Sequence, residues 1–129
     1  MATVINGSDN FNTNNVATQD EFDARELPLG VGQTWQNVTA SRSYGVTYTN
    51  TTGRPIVVLG QSTTNGGGNY IYWRIAVDGV EMASNSSISD SNTSYSKPCS
   101  VSCIVPAGST YNLSIEHNAS PSATYWELR

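Results

Sequence analysis

Residues 70–83 read YIYWRIAVDGVEMA. Ile71, Trp73, Ile75 and Val77 alternate with Tyr72, Arg74 and Ala76, the two-residue period of a strand with one buried face. Asp78-Gly79 follows, a dipeptide that tolerates the positive φ angles of a type I′ turn, so Val80–Ala83 is expected to return as a hairpin. Upstream, Gly66-Gly67-Gly68 marks a flexible tip. Before it stand three shorter strand candidates: Pro55–Gln61, Val46–Asn50 and Trp35–Thr39, divided by Thr51-Thr52-Gly53-Arg54 and by Ser41–Ser43. Thr47, Tyr48 and Thr49 are the β-branched and aromatic types that pleated surfaces favour. Downstream, Ser84–Ser96 (SNSSISDSNTSYS) reads as a low-complexity polar loop. Val101–Val105, Tyr111–Ile115 and Thr124–Leu128 supply three more strands, with Pro106-Ala107-Gly108 turning between the first two. No βαβ alternation appears. About eight short strands at this spacing fit an antiparallel sandwich or barrel, and the class is all-β.

The whole chain has 129 residues, enough for one domain. Only 12% of residues are charged, and polarity comes instead from 17 Ser, 14 Thr and 13 Asn. These side chains bond to nearby backbone and favour turns over helix interiors, which argues against a helical bundle. The net charge is −4, and the six basic residues are scattered, so the clustered cations that a nucleic-acid footprint needs are lacking. The longest apolar run, Ile56–Gly60, falls far short of the ~20 residues of a membrane helix, and no membrane insertion is expected. Met1–Asn10 has neither a basic start nor an apolar stretch, so no signal peptide is expected. Seven Asn-x-Ser/Thr triplets, at Asn6, Asn37, Asn50, Asn85, Asn92, Asn112 and Asn118, are read as products of composition.

Residues 1–28 differ from the rest and read as a polar arm or linker. Thr18-Gln19-Asp20-Glu21 fits a capping box, and Gln19–Glu26 has room for two helical turns before Pro28. Asp20, Glu21, Asp23 and Glu26 crowd this segment, either as a solvated helical turn or as a surface that docks on another protein.

Chemistry is sparse. Cys99 and Cys103, if extended, lie about 13 Å apart, too far to bridge; they then share a face with Val101 and Val105 as free thiols. A turn at Ser100–Ser102 would instead bring them together, and C-x3-C without partner ligands is a poor zinc spacing. Glu116-His117 has no serine in a nucleophile-elbow sequence, and no pair of carboxylates is placed for acid–base work. No catalytic residue, metal site or cofactor is expected. Seven Tyr and three Trp against two Phe favour aromatics with a polar handle, the kind enriched in binding surfaces. Trp35, Trp73 and Trp126 each sit in a strand pattern and are expected in the core. Tyr44, Tyr70, Tyr72 and Tyr95 fall in or beside turns, where binding and packing are equally open.

Residues 29–60, LGVGQTWQNVTASRSYGVTYTNTTGRPIVVLG, resemble a segment near the C-termini of tailed-bacteriophage tail-fibre and related virion proteins. The later VDGV, the VPAGSTY turn at Val105–Tyr111 and the ending TYWELR resemble the same family, so the likeness spans residues 29–129. It implies a jelly-roll-like β-sandwich tip domain behind an extended arm, assembled as a homotrimer with other virion proteins. Such a domain contacts a glycan or protein receptor on the host surface, without enzymatic chemistry. On that footing the Gly66–Tyr72 and Ser86–Tyr95 loops are the expected contact surface, with Asn69, Tyr70, Tyr72, Asn92 and Tyr95 as receptor-binding candidates. Asp20, Glu21, Asp23 and Glu26 are the candidates for anchoring to the virion. The other reading is a structural protein that decorates the capsid and is held through the same arm.

Overall fold

A computed structural model describes residues 27–92 and 94–129. The strands are β1 Trp35–Asn37, β2 Thr47–Thr49, β3 Ile56–Thr63, β4 Tyr70–Val77, β5 Val80–Ile88, β6 Pro98–Val105, β7 Thr110–His117 and β8 Ser122–Leu128. They form two four-stranded antiparallel sheets, ordered β1-β8-β3-β6 and β2-β7-β4-β5. Consecutive strands alternate between sheets except at the β4–β5 hairpin. The pairs β1·β8, β2·β7, β3·β6 and β4·β5 are nested, as when one long hairpin is rolled over itself. That winding is the jelly roll, a sandwich built of two Greek keys.

The hairpin at its centre forms as its sequence requires. Asp78 (φ +50°) and Gly79 (φ +79°) both take the left-handed conformation of a two-residue type I′ turn. The Asp78 carboxylate accepts from the Thr110 amide at 2.8 Å, tying this turn to the start of β7.

Between the sheets the core gathers Ile56 and Val58 from β3, Ile71, Trp73 and Ile75 from β4, and Val101 and Val105 from β6. Leu113 and Tyr111 close it from β7, and Tyr125 from β8. Trp73 is wholly buried, and its indole N–H donates to the Ser62 hydroxyl at 2.7 Å. A buried aromatic side chain of this size removes about 200 Å² from water, which stabilises the fold by roughly 5 kcal/mol before entropy is counted. Cys99 and Cys103 line the inner face of β6 as free thiols, and burial pushes both above the ordinary thiol pKa.

Three expectations change. The stretch Ser84–Ile88 is not loop: it continues β5 along the edge of its sheet, where polar side chains face water at no cost. Trp35 is not in the core but 49% exposed, because β1 turns its indole to the outer face, and Trp126 is only partly covered. Tyr44, by contrast, is packing: its ring meets Trp73 edge-on at 5.4 Å and stacks on Tyr125 at 6.0 Å. The helical turn expected at Gln19–Glu26 lies outside the described residues, as do Asp20, Glu21, Asp23 and Glu26.

The sandwich has two distinct poles. Strand β3 starts at Ile56 beside the end of β8 and the start of β1, so the chain enters at that pole. Its other end, Thr63, leads into the connections 64–69, 89–97 and 118–121. Eight residues of strand, about 25 Å, separate the two.

Candidate functional site

The pole away from the chain entry is held by buried hydroxyls. Thr64 and Lys97 clasp each other: the Thr64 amide donates to the Lys97 carbonyl at 2.8 Å, and the Lys97 amide donates to Thr64 Oγ1 at 2.9 Å. One step further out, Ser89 is buried between the loops. Its amide donates to the Asn69 carbonyl at 2.9 Å, its hydroxyl donates to the Asn65 carbonyl at 3.0 Å, and the same hydroxyl accepts from the Asn69 amide at 2.9 Å. A third connection joins through the Tyr70 amide, which donates to Asn118 Oδ1 at 2.7 Å. Short polar side chains that bond to backbone explain why so Ser-, Thr- and Asn-rich a stretch is ordered at its base.

Above these clasps the glycine tip bends through left-handed Gly67 (φ +89°) and Gly68 (φ +76°), conformations that other residues seldom take. Gly68 runs close to Ser91, so the two loops nearly touch. Between them lies an open cleft of about 490 Å³ lined by Gly66, Gly67, Ser91, Asn92 and Ser94. No lining residue is charged. Hydroxyl, carboxamide and glycine backbone groups offer neutral donors and acceptors, suited to the hydroxyls of a neutral polar ligand and to no acid–base chemistry.

The five residues singled out for receptor contact are placed unequally. Asn92 lines the cleft. Asn69 is committed to structure, its carboxamide donating to the Gly66 carbonyl at 2.9 Å and to that of Asn65 at 3.2 Å. Tyr70 and Tyr72 are not loop residues but lie two positions apart on the outer face of β4. Tyr70 is 40% exposed at the edge of the loop pole, whereas the guanidinium of Arg74 lies 4.3 Å over the Tyr72 ring and covers one side of it. Arg74 is in turn held by Glu116 at 2.8 Å and approached by Glu81 at 3.8 Å. Tyr95, 79% exposed, stands on the 89–97 connection. Ser89, Ser91, Ser94 and Asn118 carry no mark in the sequence that separates them from the serines and asparagines around them.

A second polar site lies inside the sandwich. Glu127, fully buried on β8, accepts from Arg42 Nε at 2.9 Å and from the Tyr111 hydroxyl at 2.7 Å, with Arg129 Nε at 3.3 Å. Arg42 also lies 4.5 Å over the Tyr48 ring. This is a structural clamp, since the carboxylate is filled by its partners and the adjoining void holds only about 30 Å³. Among the described residues no cluster of three His, Cys, Asp or Glu is placed to hold a metal ion.

No protein-family model matches the chain, and no curated protein is similar to it.

Proposed function

We propose that this chain is a bacteriophage virion protein, a tail-fibre-tip-like adhesin that binds the host cell surface non-covalently through its saccharides. The observation that carries this reading is the polarity of the sandwich. The chain enters at one pole, and the uncharged Gly66–Ser94 cleft opens about 25 Å away at the other. A displayed binding module needs that arrangement, with the attachment behind and the recognition surface in front. The resemblance of residues 29–129 to phage fibre tips supports the same assignment, while the jelly roll alone carries no function.

Recognition in this account is by neutral hydrogen bonds from Ser91, Asn92 and Ser94, with Tyr70 and Tyr95 as apolar surfaces for sugar rings beside them. It needs neither cofactor nor catalytic residue. Each contact is weak, and several copies acting together, three in the assembly that the resemblance implies, multiply them.

The second reading, a capsid decoration protein, rests on the same polarity: an arm bearing Asp20, Glu21, Asp23 and Glu26 joins at the pole remote from the cleft. Immunogold microscopy of the parent virion separates the two, since an adhesin labels the tail end and a decoration protein the head. For the adhesin, replacing Tyr70, Asn92, Ser94 and Tyr95 together by alanine should abolish binding to host cells without shifting the thermal melt. Undiminished binding overturns it.

A further inference from the structure

Asn65-Gly66 is the one Asn-Gly dipeptide among the described residues, and it opens the turn that walls the cleft. An asparagine followed by glycine is prone to close on itself, because no β-carbon shields the next amide and the glycine backbone turns freely. The surrounding structure decides whether such a side chain is left free to react. Most carboxamides of the sandwich are tied down. That of Asn50 is buried and donates to the Arg54, Val105 and Pro106 carbonyls. Asn69 donates to the Gly66 and Asn65 carbonyls, and Asn118 accepts from the Tyr70 amide. In the related pair Asp78-Gly79, the carboxylate is held by the Thr110 amide. Asn65 differs on each count. It is exposed, its carboxamide makes no hydrogen bond to any described residue, and the next three residues are glycines. What is held instead is its main-chain carbonyl oxygen, which accepts from the Ser89 hydroxyl at 3.0 Å and from Asn69 Nδ2 at 3.2 Å.

We propose that Asn65 is a self-modifying site, which converts with time to isoaspartate and sets a carboxylate at the wall of the uncharged cleft. The Gly66 amide nitrogen gives its proton to hydroxide and bonds to Asn65 Cγ. The Cγ–Nδ2 bond breaks, ammonia leaves with a proton from water, and a five-membered succinimide remains. Water then adds to one of the two ring carbonyls. The Ser89 and Asn69 donors select which, since they polarise the former main-chain carbonyl. Addition there breaks the bond from that carbon to the Gly66 nitrogen, which regains a proton, and the chain now runs through Cβ and Cγ. The old carbonyl is left as a free carboxylate on the same two donors, whose bonds to it become charge-assisted and stronger. Overall one water is consumed, one ammonia is released and one negative charge is gained. The clasp to Ser89 survives, while the Gly66–Gly67 wall gains a methylene in its backbone and a charge beside it. A surface that offers only neutral groups thus becomes anionic as the protein ages.

The test ages the folded full chain in warm buffer at pH 8 and at pH 6, then denatures it and cuts it with trypsin. Peptide Ser43–Arg74, uncut at Arg54 because proline follows, carries Asn50, Asn65 and Asn69 and has no aspartate of its own. Fragment masses should place the gain of –NH2 becoming –OH at Asn65, faster at pH 8 than at pH 6. Its rate should exceed that of Asn50 and Asn69 by at least about tenfold, the ratio that a barrier difference of ~1.4 kcal/mol gives. Protein isoaspartyl methyltransferase with labelled S-adenosylmethionine should methylate the aged peptide. Asn65→Gln, an exposed change whose longer side chain closes the ring poorly, should leave it unlabelled. No gain at Asn65, equal rates at the three asparagines, or a mass gain without methyl acceptance overturns the proposal. None of these readouts needs a receptor, so they decide it whether or not the cleft binds saccharides.

Discussion

The Trp73 indole lies against the backbone of Gly60 so closely that a β-carbon on Gly60 would stand 2.9 Å from two of the ring carbons. It would also stand 3.1 Å from Leu113 Cδ1. Gly60 has an ordinary strand conformation, so the glycine is there for space alone. Gly60→Ala should therefore overpack the centre of the sandwich and cost about 1–3 kcal/mol, read as a lower midpoint in urea with an unchanged slope. A neutral substitution would mean that the indole moves freely, contrary to its bond to Ser62.

Glu127 is the only carboxylate among the described residues that is fully buried, and two guanidinium groups depend on it. Glu127→Gln keeps the shape and removes the charge, leaving Arg42 without its counter-ion. The expected loss is about 3 kcal/mol, the low end for a broken buried pair because Arg42 reaches water along one side. Thermal denaturation of the variant checks it, and an unchanged midpoint would show that the pair contributes nothing.

Alkali should unfold the protein earlier than its surface charge alone would. Burial, and then the bond to Glu127, push the Tyr111 hydroxyl up to about 12. In the unfolded chain the same group titrates near 10. Below pH ~10 both states hold the proton and the stabilisation is intact. From there toward pH ~12 only the folded state keeps it, so stability falls by about 1.4 kcal/mol per pH unit. Burial also raises Tyr125, whose hydroxyl has no protein partner, and its contribution has the same sign. Urea titrations between pH 8 and pH 11 should show a flat region and then a steep decline, made shallower by Tyr111→Phe.

At the loop pole, Ser89→Ala removes one hydroxyl that serves the Asn65 carbonyl and the Asn69 amide. The orphaned groups should cost about 1–2 kcal/mol locally, with faster amide exchange confined to residues 65–69 and 89–92. If the cleft binds host saccharides as proposed, that binding should also weaken through the loss of order, although Ser89 itself is buried away from it. Exchange rates unchanged from the native protein would count against the clasp.

Strand-by-strand, the fold was legible wherever one face of a strand had to be apolar. Tyr70–Val77 and the Asp78-Gly79 turn appear as their pattern demands, and Cys99, Val101, Cys103 and Val105 do share a face. Legibility fails where the burial rule is locally suspended. Ser84–Ile88 has no strand signature because an edge strand facing solvent needs none. Trp35 looks like core because an indole usually is, and no local pattern reveals that β1 turns it to the outer face. Glu127 carries no sign of burial in the sequence, since the three partners that make its burial possible lie 16, 85 and 2 residues away, a set only the fold assembles. The candidate cleft is the hardest case: Ser91, Asn92 and Ser94 differ from their neighbours only by where two loops bring them.

The nested pairing of the strands also sets an order of events in folding. Val77 and Val80, which close the central hairpin, are three residues apart. The next pairs inward to outward join Ile56 to Val105, Tyr48 to Tyr111 and Trp35 to Leu128, spanning 49, 63 and 93 residues. Each ring of the roll closes a longer loop than the one inside it, and each becomes cheap only after the inner ring has shortened the free chain. Such a topology has high contact order and should fold in milliseconds to seconds, zipping outward from Asp78-Gly79. In pulse-labelled refolding, protection should reach β4 and β5 first and β1 last. Strand β1 is then the last to dock and the first to peel away, so a pull on the chain ahead of Trp35 meets the weakest part of the domain before the Gly66–Ser94 pole feels any load.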